Sequence, residues 1–418
     1  MTLDSAVQPS SAVVSSGYNP FTPDQIANPY PLLAQARQDT PVFFSPLLDM
    51  WIVTRYDDVA AILKDPRRFP SVSSFNVAQL DPQLQAILRA QPAPALLIDS
   101  NPPVHTRLRG LVNVAFTPRR IALLEPRIRA IAAALVDEFV AAGQADLTAR
   151  FAYPLPMTVI ADLFGFPRAD ALLVKGWSNG VLGLIGGNLT ADEQLAAFQG
   201  LGAFQAYFTA QLEQRREHPT DDLLTDLLNA REGDQPALTI PEIVAQLSLI
   251  IVAGHETTTH LIGSMLVLLL THPAQLAAVY ADPGLIPAMV EESLRVESPA
   301  SSAFRTTGEA VQLSGVDIPA GARLQIMLGS ANHDATRFPQ ADAFDPAHTE
   351  QGRHLAFGWG IHFCLGAPLA RLEGRIALEV LTQRLPNLRF QSATPVAYLP
   401  SLLLRGVSEL WLAWDQPA

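Results

Sequence analysis

One cysteine, Cys364, stands in 418 residues. An internal disulfide is therefore impossible, and so is an iron–sulfur cluster held by the chain's own thiolates. Charged residues make up only 16% of the chain, and 28 Lys and Arg against 40 Asp and Glu give a formal charge of -12. That balance argues against nucleic acid and anionic membrane as partners. Met1 to Gly17 lacks the basic-then-apolar order of a secretion signal, so the expected compartment is the cytoplasm. The glycosylation pattern Asn188-Leu189-Thr190 is then read as chance. No linker or charge run divides the chain after its first twenty residues, and no internal repeat is apparent. The expectation is a mobile tail over 1–20 followed by a single domain over 21–418. What is plentiful is apolar: 49% of residues are hydrophobic, enough for a core that encloses a buried cofactor.

Apolar periodicity predicts a mainly helical chain with small sheets. A short helix is expected over Pro31–Arg37, a hairpin from Pro41–Phe44 and Met50–Thr54, and a helix over Tyr56–Asp65. Ser71–Ser100 reads as irregular. Helices follow at His105–Ala115, Leu123–Ala142 and Tyr153–Phe164, and the chain stays mainly helical to Asn229. Ser178–Gly187 is apolar but carries four glycines, which predicts a helix that frays or bends. Further on, a helix is expected over Ala288–Glu297, paired strands over Val311–Leu328 turning around Asp317–Gly321, a helix over Leu365–Arg384 and a strand over Leu410–Trp414.

The longest helix signal runs from Pro241 to Thr271. Thr239 and Glu242 form a capping box, Pro241 sits near the first helical position, and Pro273 stops the run. At 1.5 Å per residue this spans roughly 46 Å. It is apolar nearly all round from Leu247 to Leu270, as a membrane span would be, but His255-Glu256-Thr257-Thr258-Thr259-His260 interrupts it. A central buried helix with a polar notch is the better reading. The notch nearly spells a zinc-protease motif, yet its histidines are five apart and lie about 140° apart around a helix, so they cannot share a metal. What it offers is a carboxylic acid beside hydroxyls, with small Ala253 and Gly254 leaving room for a ligand against the helix.

The cysteine lies in Phe357-Gly358-Trp359-Gly360-Ile361-His362-Phe363-Cys364-Leu365-Gly366. Gly358 and Gly360 permit a tight turn with positive φ, and Gly366 lets something flat approach the backbone. A helix starting after the sulfur puts it among unpaired N–H donors at the positive end of a helix dipole. That setting suits a sulfur held as an anion, which a soft metal ligand must be.

With these residues on the page, the chain resembles a soluble bacterial-type cytochrome P450. The cysteine loop matches the family's Phe-Gly-x-Gly-x-His-x-Cys-x-Gly signature at every fixed position. Ala253-Gly254-His255-Glu256-Thr257-Thr258 looks like the family's oxygen-binding notch, and Glu292-Ser293-Leu294-Arg295 is similar to its Glu-x-x-Arg element. The likeness extends from Pro20 to Trp414. It implies the P450 fold, mainly α with small β-sheets, and a haem b (iron protoporphyrin IX) whose axial ligand is Cys364, with Phe357 and Gly358 around the sulfur. His105, Arg109, Arg305 and His362 are the implied partners of the haem propionates, which need cations or N–H donors to stay ionised when buried. Ala253 would border the haem, and Glu256 and Thr257 match the acid–alcohol pair that routes protons to bound dioxygen. Glu292 and Arg295 would be structural; His348 stands where many relatives supply an Arg, a third partner that weakens at high pH.

The implied reaction is monooxygenation of a small or medium apolar organic substrate with O2. Electrons would come from NAD(P)H through a separate ferredoxin or flavodoxin and its reductase, docking on a basic patch of Arg107, Arg119, Arg120, Arg353 and Arg371. By position in the resembling fold, Phe75, Leu96, Leu97, Val181, Leu182, Ile250, Ala253, Ser302, Ala303 and Leu402 are candidates to line the pocket. The rival readings are a peroxide-driven peroxygenase, a haem-binding sensor or carrier, and the haem part of a longer fusion enzyme. Glu256 and Thr257 speak against the first two.

Overall fold

The computed structural model describes residues 17–71, 80–90, 94–113, 116–186, 189–232, 235–347, 351–393 and 396–416. Residues 1–16, with most of the expected tail, lie outside them, as do Phe75 and His348. After a short helical turn at Pro23–Ala27 come helix α1 (Tyr30–Asp39) and the foreseen hairpin, β1 (Val42–Ser45) and β2 (Met50–Val53), followed by α2 (Tyr56–Lys64). Within the stretch read as irregular, Pro82–Ala90 is a helix, α3, with only Leu84 buried. One buried side chain is a weak periodic signal among several prolines, which is why the pattern did not reveal it. Helices α4 (Val104–Asn113) and α5 (Pro118–Asp137), strand β3 (Gln144–Asp146), α6 (Pro154–Phe164), α7 (Ala171–Gly186), α8 (Ala191–Glu217) and α9 (Leu223–Asn229) follow.

Helix α10 (Ile240–Thr271) is the foreseen central helix. Its capping box is formed, with Thr239 N–H donating to Glu242 Oε2 at 2.8 Å and Glu242 N–H donating to Thr239 Oγ1 at 3.4 Å. Most of its side chains are buried against α6, α8, α12 (Ile286–Val296) and α13 (Ala367–Arg384), and α11 (Pro273–Ala281) turns away from its end by 105°. Among the described residues no single helix is long and apolar enough to cross a membrane.

The small sheets hold the other side. β4 (Ala303–Thr306), β5 (Val311–Leu313), β6 (Val316–Ile318) and β7 (Arg323–Ile326) precede the cysteine loop; β8 (Arg389–Phe390) and β9 (Trp411–Ala413) follow α13. One sheet has the order β1-β2-β7-β4, with β2 and β7 parallel and the other pairs antiparallel. A second joins β8, β9 and β3. The tight turn between paired strands falls at Ser314-Gly315, both at positive φ, rather than at Asp317–Gly321. Gly321 makes a second turn, leading into β7.

The glycine-rich segment is corrected as well. α7 is continuous through Gly186. A Cβ on Gly180 would sit 3.1 Å from Ala197 Cα, so this glycine allows α7 and α8 to pack backbone to backbone instead of fraying the helix.

Candidate functional site

The cysteine loop is built as its glycines require. Gly358 and Gly360 have φ of 67° and 71°, and a Cβ on Gly360 would fall 2.5 Å from the Leu63 carbonyl oxygen at the end of α2. Cys364 N–H donates to Phe357 O at 2.9 Å, closing the turn. α13 begins at Ala367, two residues later than expected. The Gly366 and Ala367 N–H groups are thereby left to face the sulfur. Burial pushes the Cys364 thiol up, while those N–H groups, Arg109 and Arg371 pull it down. A bound metal ion is what tips such a sulfur to thiolate. Phe357 is clasped by Arg371, 4.5 Å over its ring, and by His354 at 5.9 Å. Glu291 ties both together, accepting from Arg371 at 2.6 and 3.0 Å and lying 3.3 Å from His354.

Four of the expected basic groups converge beside the loop. The His105 and His362 rings are 4.4 Å apart, and His362 Nε2 lies 3.0 Å from Ser71 Oγ. Burial, then the charges of Arg305, His105 and Arg109, pull His362 down to about 3. Burial draws Arg305 down to about 10, with Asp99 acting the other way, and burial also lowers Arg109 and His105. Neither Arg109 nor Arg305 makes an ion pair among the described residues. His105 Nε2 is buried without a hydrogen-bond partner. A buried Arg305, a half-buried Arg109 and an orphaned imidazole nitrogen beside the same loop call for anionic oxygens.

The opposing wall is α10. Ala253 is exposed although Val252 and His255 beside it are buried, so the helix runs past open space there. A Cβ on Gly366 would likewise meet nothing within 4 Å. The donor set, the cations, the orphaned nitrogen and the open faces of Ala253 and Gly366 fit a flat, dianionic haem. Thr257, Thr258 and Thr259 donate to the carbonyls of Ala253, Gly254 and His255 at 2.7, 3.1 and 2.9 Å, and the helix continues unbroken through them.

Glu256 was legible as an acid; its surroundings were not. His255 Nε2 lies 3.0 Å from Glu256 Oε1 and His260 Nε2 lies 3.7 Å from Oε2. The Tyr153 ring stands 5.7 Å from that of His255, with Lys175 Nζ 3.6 Å over the tyrosine. Burial would raise the Glu256 carboxyl, but His255 first, with Lys175 adding to it, outweighs burial and holds the group below its usual range. The i,i+4 spacing of Glu256 and His260 was the available signal for this cluster.

Of the pocket candidates, Leu97, Val181, Ile250 and Ser302 are buried; Leu96, Leu182, Ala303 and Leu402 are partly exposed. Ser302 donates its hydroxyl to the Leu402 carbonyl at 2.6 Å, so it fastens that segment. The basic patch is not a set of free cations: Arg107 pairs with Glu242, Arg120 with Asp226 and Arg371 with Glu291. Acidic neighbours on α9, α10 and α12 were too distant in sequence to be foreseen.

A family model described as "Cytochrome P450" matches residues 199–282 and 284–395. The chain is 42% identical over 371 residues to cytochrome P450 107B1 of Saccharopolyspora erythraea, covering 87% of this chain and 89% of that protein. It is 40% identical over 387 residues to vitamin D(3) 25-hydroxylase of Pseudonocardia autotrophica, covering 92% and 93%. The solved structure of cytochrome P450 CREJ in complex with (4-ethylphenyl) dihydrogen phosphate matches with a TM-score of 0.91 at 33% identity, covering 96% of this chain and 100% of that one.

Proposed function

The chain belongs to the cytochrome P450 family, and from that premise we propose that it holds haem b on Cys364 and oxidises apolar organic substrates in the cytoplasm. Its reaction is a monooxygenation: one atom of O2 enters the substrate and the other leaves as water, using two electrons and two protons. When bound, the haem supplies dioxygen activation, with donation from sulfur favouring O–O cleavage.

The chain's own residues do the rest. Gly366 and Ala367 N–H groups and the Phe357 ring shelter the Cys364 sulfur. His105, Arg109, Arg305 and His362 hold the two propionates. Ala253 leaves room against α10, whereas Gly254 does not: a Cβ there would fall 2.8 Å from Ile160 Cδ1, so this glycine lets α6 pack on α10. Glu256 and Thr257 keep protons within reach of the room at Ala253: Thr257 parks its hydroxyl hydrogen on the Ala253 carbonyl oxygen. Leu97, Val181, Leu182, Ile250 and Leu402 offer an apolar wall, consistent with a substrate as apolar as the vitamin of the similar hydroxylase. Electrons arrive from NAD(P)H by way of a ferredoxin or flavodoxin with its reductase.

The observation that carries this reading is the convergence of four basic groups beside a lone cysteine at a helix start. The test is the carbon monoxide difference spectrum of the reduced protein. A thiolate-type spectrum is expected, followed by product formation driven by NAD(P)H with surrogate redox partners. A histidine-type spectrum in fresh protein contradicts the Cys364 assignment, and turnover with peroxide alone would favour a peroxygenase.

A further inference from the structure

His255 is the one imidazole of the notch whose two ring nitrogens both face an oxygen. Nδ1 lies 2.6 Å from the carbonyl oxygen of Ile251, and Nε2 lies 3.0 Å from Glu256 Oε1. The ring is fully buried, so no solvent can mediate either contact. A carbonyl oxygen only accepts, so Nδ1 must carry a hydrogen. If His255 is neutral, Nε2 is then a bare lone pair 3.0 Å from a carboxylate, two acceptors facing each other. The other neutral tautomer moves the clash to Nδ1 and the Ile251 carbonyl, where it is tighter. Both contacts become hydrogen bonds in only two states: His255 as imidazolium beside ionised Glu256, or neutral His255 accepting from a protonated Glu256. The two differ in where one proton sits, not in how many there are.

We propose that His255 and Glu256 hold one exchangeable proton between them in the resting enzyme, making His255 a positioning residue that keeps the acid of the notch loaded next to Thr257. The reading rests on the role proposed above for Glu256.

The groups packed around the pair are consistent with it. His260, on the same helix, is buried with both ring nitrogens unpartnered and held down to about 4, so it stays neutral and does not take the proton. Tyr153, ahead of α6, presents its ring to His255, and burial raises its hydroxyl pKa, so it stays protonated too. Lys175, on α7, is the remaining charge acting on Glu256, and its ammonium over the Tyr153 ring lies on the side of the cluster nearer solvent. In turnover the pair releases its proton on the Thr257 side of the helix and is reloaded from solvent on the Lys175 side. Nothing is oxidised or reduced at the pair.

The test uses the intact holoenzyme, reduced and carbon monoxide-bound so that it is diamagnetic, labelled with 15N-histidine. The His255 signals are identified by their loss in His255→Gln. The expected result is either both His255 nitrogens protonated, or a neutral ring with an infrared carboxylic acid C=O band that disappears in Glu256→Gln. A neutral His255 with no such band overturns the proposal. The carbon monoxide difference spectrum of the same samples reports the Cys364 assignment independently, so the two readings cannot fail together unnoticed. In His255→Gln, product formed per NAD(P)H should fall about ten-fold and acquire a pH dependence the wild type lacks, with haem content unchanged; equal coupling and an equal pH profile count against the proposal.

Discussion

Arg295 grips Glu292 with two hydrogen bonds, Nη2 to Oε1 at 2.7 Å and Nε to Oε2 at 2.9 Å, and neither side chain is exposed. Its other donors go to the carbonyls of Asn332, Ala341 and Ala343 at 2.9, 2.6 and 2.7 Å, so all five N–H groups are engaged. Asp345 N–H adds a bond to Glu292 Oε1 at 3.0 Å. One guanidinium thus staples α12 to the segment that leads into the cysteine loop. Glu292→Gln leaves a buried cation without its counter-ion and should cost about 3–5 kcal/mol. Arg295→Lys should cost nearly as much, because an ammonium cannot span five acceptors. Urea unfolding of the haem-loaded protein, followed by far-ultraviolet circular dichroism, measures both; a loss near zero would show the staple to be dispensable.

Gly360 carries a conformational and a steric demand at once. At φ 71° a side chain is strained, and its Cβ would strike the Leu63 carbonyl oxygen. That carbonyl is backbone and cannot swing away. Gly360→Ala should therefore displace the loop from α2 and shift the sulfur, while Gly352→Ala, whose Cβ meets nothing within 4 Å, should not. The readout is haem content and the thiolate-type carbon monoxide band. Normal haem loading in Gly360→Ala would remove the loop's contact with α2 from the list of things that place Cys364.

His260 makes the fold acid-labile. Burial holds its imidazole down to about 4, so between pH 6.5 and that value the unfolded chain binds a proton that the folded chain refuses. Stability is unaffected by this group above pH 6.5 and falls as pH drops through the window, by roughly 3 kcal/mol in all. His260→Asn should flatten that part of the stability profile and leave stability near pH 8 changed mainly by packing. The site is also tight: a Cβ on Gly406 would lie 2.0 Å from His260 Nδ1. Gly406→Ala should cost about 1–3 kcal/mol alone and less in combination with His260→Ala, though not nothing, because the Cβ that alanine keeps at 260 would still lie 2.7 Å away.

Features written in consecutive residues were legible before the structure: the capping box of α10, the positive-φ glycines of the loop and the identity of Glu256 as a mid-helix acid. Each is set by local chemistry acting over a few positions. Features that depend on a distant neighbour were not. Composition reads Gly180 as flexibility, and only Ala197 on the facing helix shows that it is a packing contact. Arg371 reads as a free cation until Glu291 is seen against it, on another helix. The angle between His255 and His260 excludes a shared metal, and the same spacing arithmetic puts His260 on the face of Glu256, one turn away.

In the proton path proposed above, Thr257 is the last group the chain supplies. Its hydroxyl donates to the Ala253 carbonyl oxygen at 2.7 Å, a contact that a helix can lose because Ala253 O still accepts the regular backbone bond from the Thr257 N–H. Thr257→Ala should therefore fold, load haem and bind substrate like the wild type. What it lacks is a hydroxyl beside the open face at Ala253, able to hold and pass a proton. NAD(P)H consumption should continue while product per NAD(P)H drops about ten-fold or more, the electrons leaving as hydrogen peroxide. Thr257→Ser keeps the hydroxyl and should restore most of the coupling. If the Ala and Ser variants couple equally well, the hydroxyl is not the group that matters, and the proton path must reach the haem face from Glu256 without it.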